Sequence, residues 1–202
     1  MSALFPERIE TDRLLLEAVP ADSLDVFDLY DVVRVGAPNI DEITEYLTWS
    51  PHETPKETRE FLDSVAEERE NDDGSMYVVR PKQGEDGTGE LAGLAGIGVN
   101  WETRTAEFGT WLRKRFWGRG YSGERAAAFL EVAFERLDLD AVVVTVQRGN
   151  ENSFTAVSRY VEAHGGSHEG LLRNFYADQD GAVADAHRFS ITREEYHEVT
   201  GE

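Results

Sequence analysis

Between residues 106 and 146 the chain reads strand, glycine-rich turn, long helix, strand, and few folds accept that order. Ala106–Leu112 reads as a strand and Glu124–Leu137 as a strong helix. Ala141–Val146 is a β-branched run of the kind that is buried on both faces. A helix joining two strands of one sheet is a crossover, so these two strands run parallel. The earlier strand-like segments, Met76–Val79 and Leu91–Val99, are separated by short turns and run antiparallel. Leu14-Leu15-Leu16 is a short buried strand. Pro20-Ala21-Asp22-Ser23 offers helix-start residues before Leu24, Phe27, Val32 and Val35 at helical spacing. A second helix follows Thr54-Pro55, with Phe61, Leu62 and Val65 on one face, and ends in Asn71-Asp72-Asp73-Gly74. After the parallel pair a helix from about Asn152 to Ala163 stops at Gly165-Gly166, and strands near Gly170–Tyr176 and Ala186–Ile191 complete the chain. Without a repeat or a linker, the expectation is an α+β fold around one mixed sheet, a single domain over residues 1–202.

Composition narrows the function. A 202-residue chain that is 40% hydrophobic can bury a sizeable core. No apolar run approaches the roughly 20 residues of a membrane helix, and the first residues lack a secretory signal, so a cytoplasmic location is expected. The absence of cysteine removes disulfides, thiolate metal sites and a cysteine nucleophile. The five histidines, His52, His164, His168, His187 and His197, have no ligand spacing, so no metal is expected. Acidic residues outnumber basic ones 40 to 20, giving a net charge of −20, and only Lys56, Lys82 and Lys114 are lysines. Such a surface repels phosphates and argues against nucleic acid as a partner. Either an acidic face attracts a cationic substrate, or the surface is adapted to high salt, where self-repulsion is screened. Carboxylates spread along the whole chain and scarce lysine favour the second.

The turn Arg115-Phe116-Trp117-Gly118-Arg119-Gly120-Tyr121-Ser122-Gly123 admits several readings. Glycines allow positive φ and close approach of a ligand, and a helix start offers free amides and a favourable dipole to an anion. Arg113, Lys114, Arg115 and Arg119 put four cations there. Gly118-x-Gly120-x-x-Gly123 matches a dinucleotide fingerprint in letters, but the next strand ends in Gln147-Arg148, not an acid, and too little chain follows for a large parallel sheet. A Walker loop is excluded, because no Gly-Lys-Ser/Thr is present. A plain tight turn with solvated arginines is the remaining bland alternative.

Arg115-x-x-Gly118-x-Gly120 resembles the pyrophosphate-binding signature of the GNAT acyltransferase superfamily, Gln/Arg-x-x-Gly-x-Gly/Ala. Further pieces occur in family order. Glu10-Thr11-Asp12-Arg13-Leu14-Leu15-Leu16 resembles the opening of the RimJ/RimL-type branch, and Glu107-Phe108-Gly109-Thr110-Trp111-Leu112 its "E-I-G-Y-W-L" strand. Asn150-x-x-Ser153 resembles its helix start, and Glu169-Gly170-Leu171-Leu172-Arg173 its "E-G-x-x-R" strand. One departure stands out: 16 residues separate Ser153 from Glu169, more than the family commonly has, and Gly165-Gly166 replaces Gly-Phe.

The resemblance implies the GNAT fold, a mostly antiparallel twisted sheet of about seven strands with helices on both faces and a V-shaped splay between the central parallel strands. It also implies acetyl transfer from acetyl-CoA, as cosubstrate, to a primary amine, a protein N-terminus or a small amine, by a monomer or homodimer. Amides around Trp111, Leu112 and Arg113 would hold the pantetheine. Trp117, Gly118, Arg119, Gly120, Tyr121 and Ser122 would hold the pyrophosphate, with charge from Arg115 or Arg119, and Asn150 and Ser153 would contact the arm or sulfur. Glu107 is the candidate base, set against being one surface carboxylate among forty. Ser153 and Tyr160 compete to protonate the leaving thiolate, although Ser153 also suits a helix N-cap and Tyr160 a core aromatic. Trp49, Trp101, Phe175 and Tyr176 are candidates to line the acceptor pocket.

Overall fold

A computed structural model describes residues 3–20, 24–177 and 182–201. The helix-start residues Ala21, Asp22 and Ser23 lie outside the described residues. Eight strands form one sheet: β1 (Arg8–Glu10), β2 (Leu14–Ala18), β3 (Gly74–Pro81), β4 (Gly93–Asn100), β5 (Thr105–Leu112), β6 (Ala141–Gln147), β7 (Ser167–Ala177) and β8 (Val183–Thr192). Their spatial order is β1-β2-β3-β4-β5-β6-β8-β7, and every neighbouring pair is antiparallel except β5 and β6. The parallel pair is the one the crossover rule required. The eighth strand beyond the expected seven is β1, three residues at the sheet edge, too short to show a periodicity.

Helices cover both faces. In sequence order they are α1 (Val26–Val33), α2 (Ile40–Thr44), α3 (Pro55–Glu70), α4 (Tyr121–Glu131), α5 (Glu151–Ala163) and α6 (Arg193–Thr200). Alternation along the strands divides the core. Tyr77, Val79, Ala106, Phe108, Val142, Val144 and Phe189 pack with Phe129, Val157 and Tyr196 from α4, α5 and α6. Val78 and Leu94 point the other way, onto Leu29, Val33 and Val65 of α1 and α3. The face expected for α1 needs correction: Phe27 and Val35 are 60% and 58% exposed, while Leu29 and Val33 are buried. The helix stops at Arg34, whose backbone is already extended, so Val35 lies outside the helical repeat.

Two elements have weak signals, and a third differs in its bounds. α2 is only five residues long. α6 is announced by Thr192 and Glu195, which form a reciprocal capping box. α4 begins at Tyr121, inside the stretch read as turn, and widens after Glu131 into a π-helical turn over Val132–Arg136. At the end of α5 a Cβ on Gly166 would lie 2.2 Å from the Ser190 carbonyl, so the approach of this helix to β8 requires glycine.

Candidate active site

β5 and β6 pair at only three positions, Thr105 with Ala141, Ala106 with Val142 and Glu107 with Val143. β4 accompanies β5 to its end, pairing Gly93 with Leu112. From Phe108 to Leu112, therefore, β5 has a strand partner on one edge only, and the polar groups of its other edge face the opening between the two strands. This is the splay that the family resemblance implies. Trp111 and Leu112 lie on it, and the Leu112 carbonyl accepts a 2.7 Å bond from the Trp117 indole, which ties the end of the strand to the turn.

At the turn, Gly118 and Gly120 have φ of +73° and +78°. Gly120 is the residue before α4, and no side chain caps that helix, so the first-turn amides, those of Tyr121, Ser122 and Gly123, remain available to an anion. The four neighbouring cations are not free. Arg115 bonds Glu90 at 2.7 Å and Asp86 at 3.3 Å, Arg119 bonds Asp86 at 2.8 Å, Lys114 pairs with Glu42 at 2.6 Å and Arg113 with Glu90 at 3.5 Å. The Asp86 carboxyl is held below its ordinary range by bonds from Arg119 and then Arg115. The cationic island is thus largely neutralised from within the chain, and an arriving pyrophosphate depends on the backbone amides more than the charge count suggests. Replacing Asp86 with Ala removes the carboxylate from Arg119 and leaves its 2.9 Å bond to the main-chain carbonyl at position 86, and coenzyme A affinity measured by calorimetry should rise about two- to fivefold, the scale of one exposed ion pair. A fall in affinity would instead mean that Asp86 holds the loop in place.

Arg13, at the start of β2, also reaches this turn, where its Nη1 donates 2.9 Å to the Arg119 carbonyl. Its Nε pairs at 2.6 Å with Glu124. Burial disfavours charge on Glu124, but bonds from Thr11 and Arg13 outweigh it and lower the carboxyl's pKa. No local motif marks Arg13 as a turn residue, because 111 positions separate it from Glu124.

Asn150 and Ser153 begin α5, beyond the end of β6. Asn150 is the N-cap: its side-chain oxygen accepts from the Ser153 amide at 3.0 Å. The alternative of Ser153 as the cap is therefore replaced, and the Ser153 hydroxyl is not spent on capping. Tyr160 is 4% exposed and sits in the core between α5 and α4.

On the opposite face of the sheet, α1 and α3 pack onto β3 and β4, with Trp111 of β5 at the margin. A cleft of about 640 Å³ stays open beside them, over the end of β4 and over β5, β6 and β8, lined among others by Glu68, Asp73, Glu107, Thr145, Phe175 and Arg188. Glu107 occupies the last paired position before the splay. Its Oε1 accepts a 2.8 Å bond from the Thr145 hydroxyl, which lies 2.5 Å from the Tyr176 hydroxyl. Burial raises the Tyr176 pKa, opposed by the Thr145 bond and assisted by the charge of Glu107. Glu68 is raised by burial and then by repulsion from Asp73. Arg188 is occupied by Glu169 at 2.7 Å, so the cleft is net anionic. Of the aromatic candidates, Phe175 lines the cleft and Tyr176 joins it through Thr145. Trp49 stands against Trp111, with ring centroids 5.7 Å apart, while Trp101 bonds the Asp72 carbonyl beyond the cleft lining. Folding brings His168 and His187 within 3.1 Å, but among the described residues no three ligating side chains could hold a metal.

The arrangement joins an amide cradle, a strand edge for an extended arm and a carboxylate at the fork of the splay, facing a second cleft. Residues 13–160 match the acetyltransferase (GNAT) domain. An uncharacterized N-acetyltransferase, p20, of Bacillus licheniformis is 24% identical over 191 residues, 94% of this chain and 98% of that protein. Two solved structures share the fold with TM-scores of 0.76. The ribosomal L7/L12 alpha-N-protein acetyltransferase RimL in complex with coenzyme A is 21% identical, covering 92% of this chain and 98% of that one. The microcin C7 self-immunity acetyltransferase MccE, in complex with acetyl-CoA and AMP, is 17% identical, covering 94% and 98%. With the sheet, the splay and the glycine turn in place, the chain belongs to the GNAT family of acetyltransferases.

Proposed function

We propose that this chain moves the acetyl group of acetyl-CoA directly to the α-amine of a protein N-terminus, as an enzyme of the RimJ/RimL-type branch. The observation that carries this reading is the position of Glu107. It is the last β5 residue paired to β6, so it stands where the sulfur end of an arm laid along the splay would arrive, and its carboxylate faces the open cleft. An α-amine with a pKa near ~8 needs only a weak base or a water relay, whereas a lysine amine near ~10.4 demands more. Trp111, Leu112 and Arg113 would hold the pantetheine through backbone amides. Gly118, Gly120, Tyr121 and Ser122 would hold the pyrophosphate, Arg115 or Arg119 would add charge, and Asn150 and Ser153 would touch the arm. The similarity to RimL supports a protein N-terminus as acceptor.

A second reading has its own observation. Glu68 and Asp73 make the cleft anionic beyond what a single base requires, which suits a small cationic amine; the similarity to MccE supports an acceptor that is not a ribosomal protein. A third, acetyl-CoA sensing without transfer, is disfavoured by Glu107 and its Thr145 bond. We place the protein in a high-salt cytoplasm, as a monomer or homodimer of a single domain over residues 1–202, without nucleic-acid or membrane partners.

Incubation with acetyl-CoA and a panel of N-terminal peptides, lysine peptides and polyamines, at low and multimolar KCl, tests these readings. Thiol release with N-terminal peptides is the expected result, and stability should rise with KCl. Release with polyamines alone would transfer the assignment to small amines. Binding of acetyl-CoA with no thiol released on any amine would leave the sensor, and full stability in dilute buffer would remove salt adaptation.

A further inference from the structure

Arg125, in the second turn of α4, is only 3% exposed, and among the described residues no carboxylate pairs with it. Its guanidinium carbon lies over the rings of Phe129 at 5.2 Å and Phe108 at 5.9 Å. Those faces attract the charge but cannot accept bonds in the plane of the guanidinium, and Nε and Nη1 have no hydrogen-bond partner. The Tyr160 hydroxyl is the polar group whose field the guanidinium feels. It is buried as well, and the guanidinium in turn is the group that acts on it. A buried charge left unpaired is costly, by several kcal/mol even after relaxation, and such a group calls for an explanation.

The topology supplies one. α4 starts just beyond the end of β5 and α5 just beyond the end of β6, so both helices begin beside the open end of the splay. Side chains lean toward the start of their own helix, which directs Arg125 and Tyr160 back toward that opening. The first turn of α4 meets the third turn of α5 closely, since a Cβ on Gly123 would sit 3.8 Å from the Tyr160 Cβ. The free edge of β5 runs from Leu112 to Phe108, five residues or roughly 16 Å of extended strand. An arm anchored at Gly118–Tyr121 and laid along it ends at Phe108, the ring under Arg125. Phe108 and Glu107 point to opposite faces of the sheet. The fork therefore has a carboxylate on the acceptor side and an unpaired guanidinium on the helix side.

We propose that Arg125 is held without a counter-ion to receive the negative charge that the sulfur of coenzyme A carries when the thioester breaks. This rests on the acetyl-transfer reading above. The amine nitrogen bonds to the thioester carbon, the carbon–sulfur bond breaks and its electron pair leaves on sulfur. The amine proton passes to Glu107 and on to water, and coenzyme A leaves as the thiolate, which takes its proton from water after release.

The test is a titration of the coenzyme A thiol in its binary complex with the protein, read by thiolate absorbance against pH. In the wild-type complex the thiol should ionise at lower pH than in free coenzyme A. Arg125→Met, which keeps most of the volume, should raise the thiol's proton affinity about tenfold and lower kcat by about the same factor, with little change in the KM for acetyl-CoA. A wild-type complex whose thiol titrates like free coenzyme A overturns the proposal without need of a variant, and so does a folded Arg125→Met protein with an unshifted thiol. Failure of coenzyme A to bind at all would instead sink the acetyl-transfer reading.

Discussion

Glu107→Gln should lower turnover by about 10² to 10⁴, the usual contribution of a positioned base, and leave acetyl-CoA affinity nearly unchanged. The substitution is close to isosteric. The glutamine oxygen can still accept from the Thr145 hydroxyl, which lies 2.8 Å from the carboxylate, so the fork should keep its shape. What disappears is the ability to take a proton. On the proposed reading the turn and the strand edge hold the cofactor, and Glu107 forms neither. Steady-state rates across pH, paired with calorimetric binding, separate the two effects. Turnover unchanged at every pH would remove Glu107 as the base. A parallel loss of acetyl-CoA affinity would mean that the carboxylate shapes the splay instead.

Gly118→Val or Gly120→Val should abolish detectable binding of coenzyme A. No atom lies within 4 Å of a Cβ at Gly118, and at Gly120 the nearest is the Arg13 guanidinium at 3.5 Å. Crowding is therefore not the cause. Both residues sit at positive φ, where a β-branched side chain is strained by about 1–3 kcal/mol. The turn relieves that strain by rotating, and rotation turns away the amides that would face the pyrophosphate. Since Arg115 and Arg119 are committed to Asp86 and Glu90, little else in the turn can compensate. Calorimetry gives the affinity, and thermal melting establishes that the fold survives. Retained affinity in a folded variant would sink the pyrophosphate assignment.

Much of this architecture is legible in the residues. The glycine turn, the helix after it and the β-branched strand beyond are local signals, so their types and order follow from backbone preference and periodicity. Short elements were harder to read. β1 has three residues and α2 five, fewer than one clear period of either pattern. Apolar spacing alone does not say where α1 stops, and Val35 falls beyond its end.

The mixed sheet, its single parallel crossover, the glycine turn and a carboxylate on the strand leading into it are all written in the order of residues along the chain. These depend on residues near one another in the chain. What surrounds them is set by how the folded chain packs. Packing neutralised the cations of the turn with Asp86, Glu90 and Glu42, brought Arg13 to the Arg119 carbonyl and made Asn150 rather than Ser153 the cap of α5. It also linked Glu107 to Tyr176 through Thr145, and buried Arg125 without a counter-ion behind Phe108. Several of these contacts join positions tens of residues apart. Their partners are selected by how the sheet and helices pack, and no local spacing encodes that.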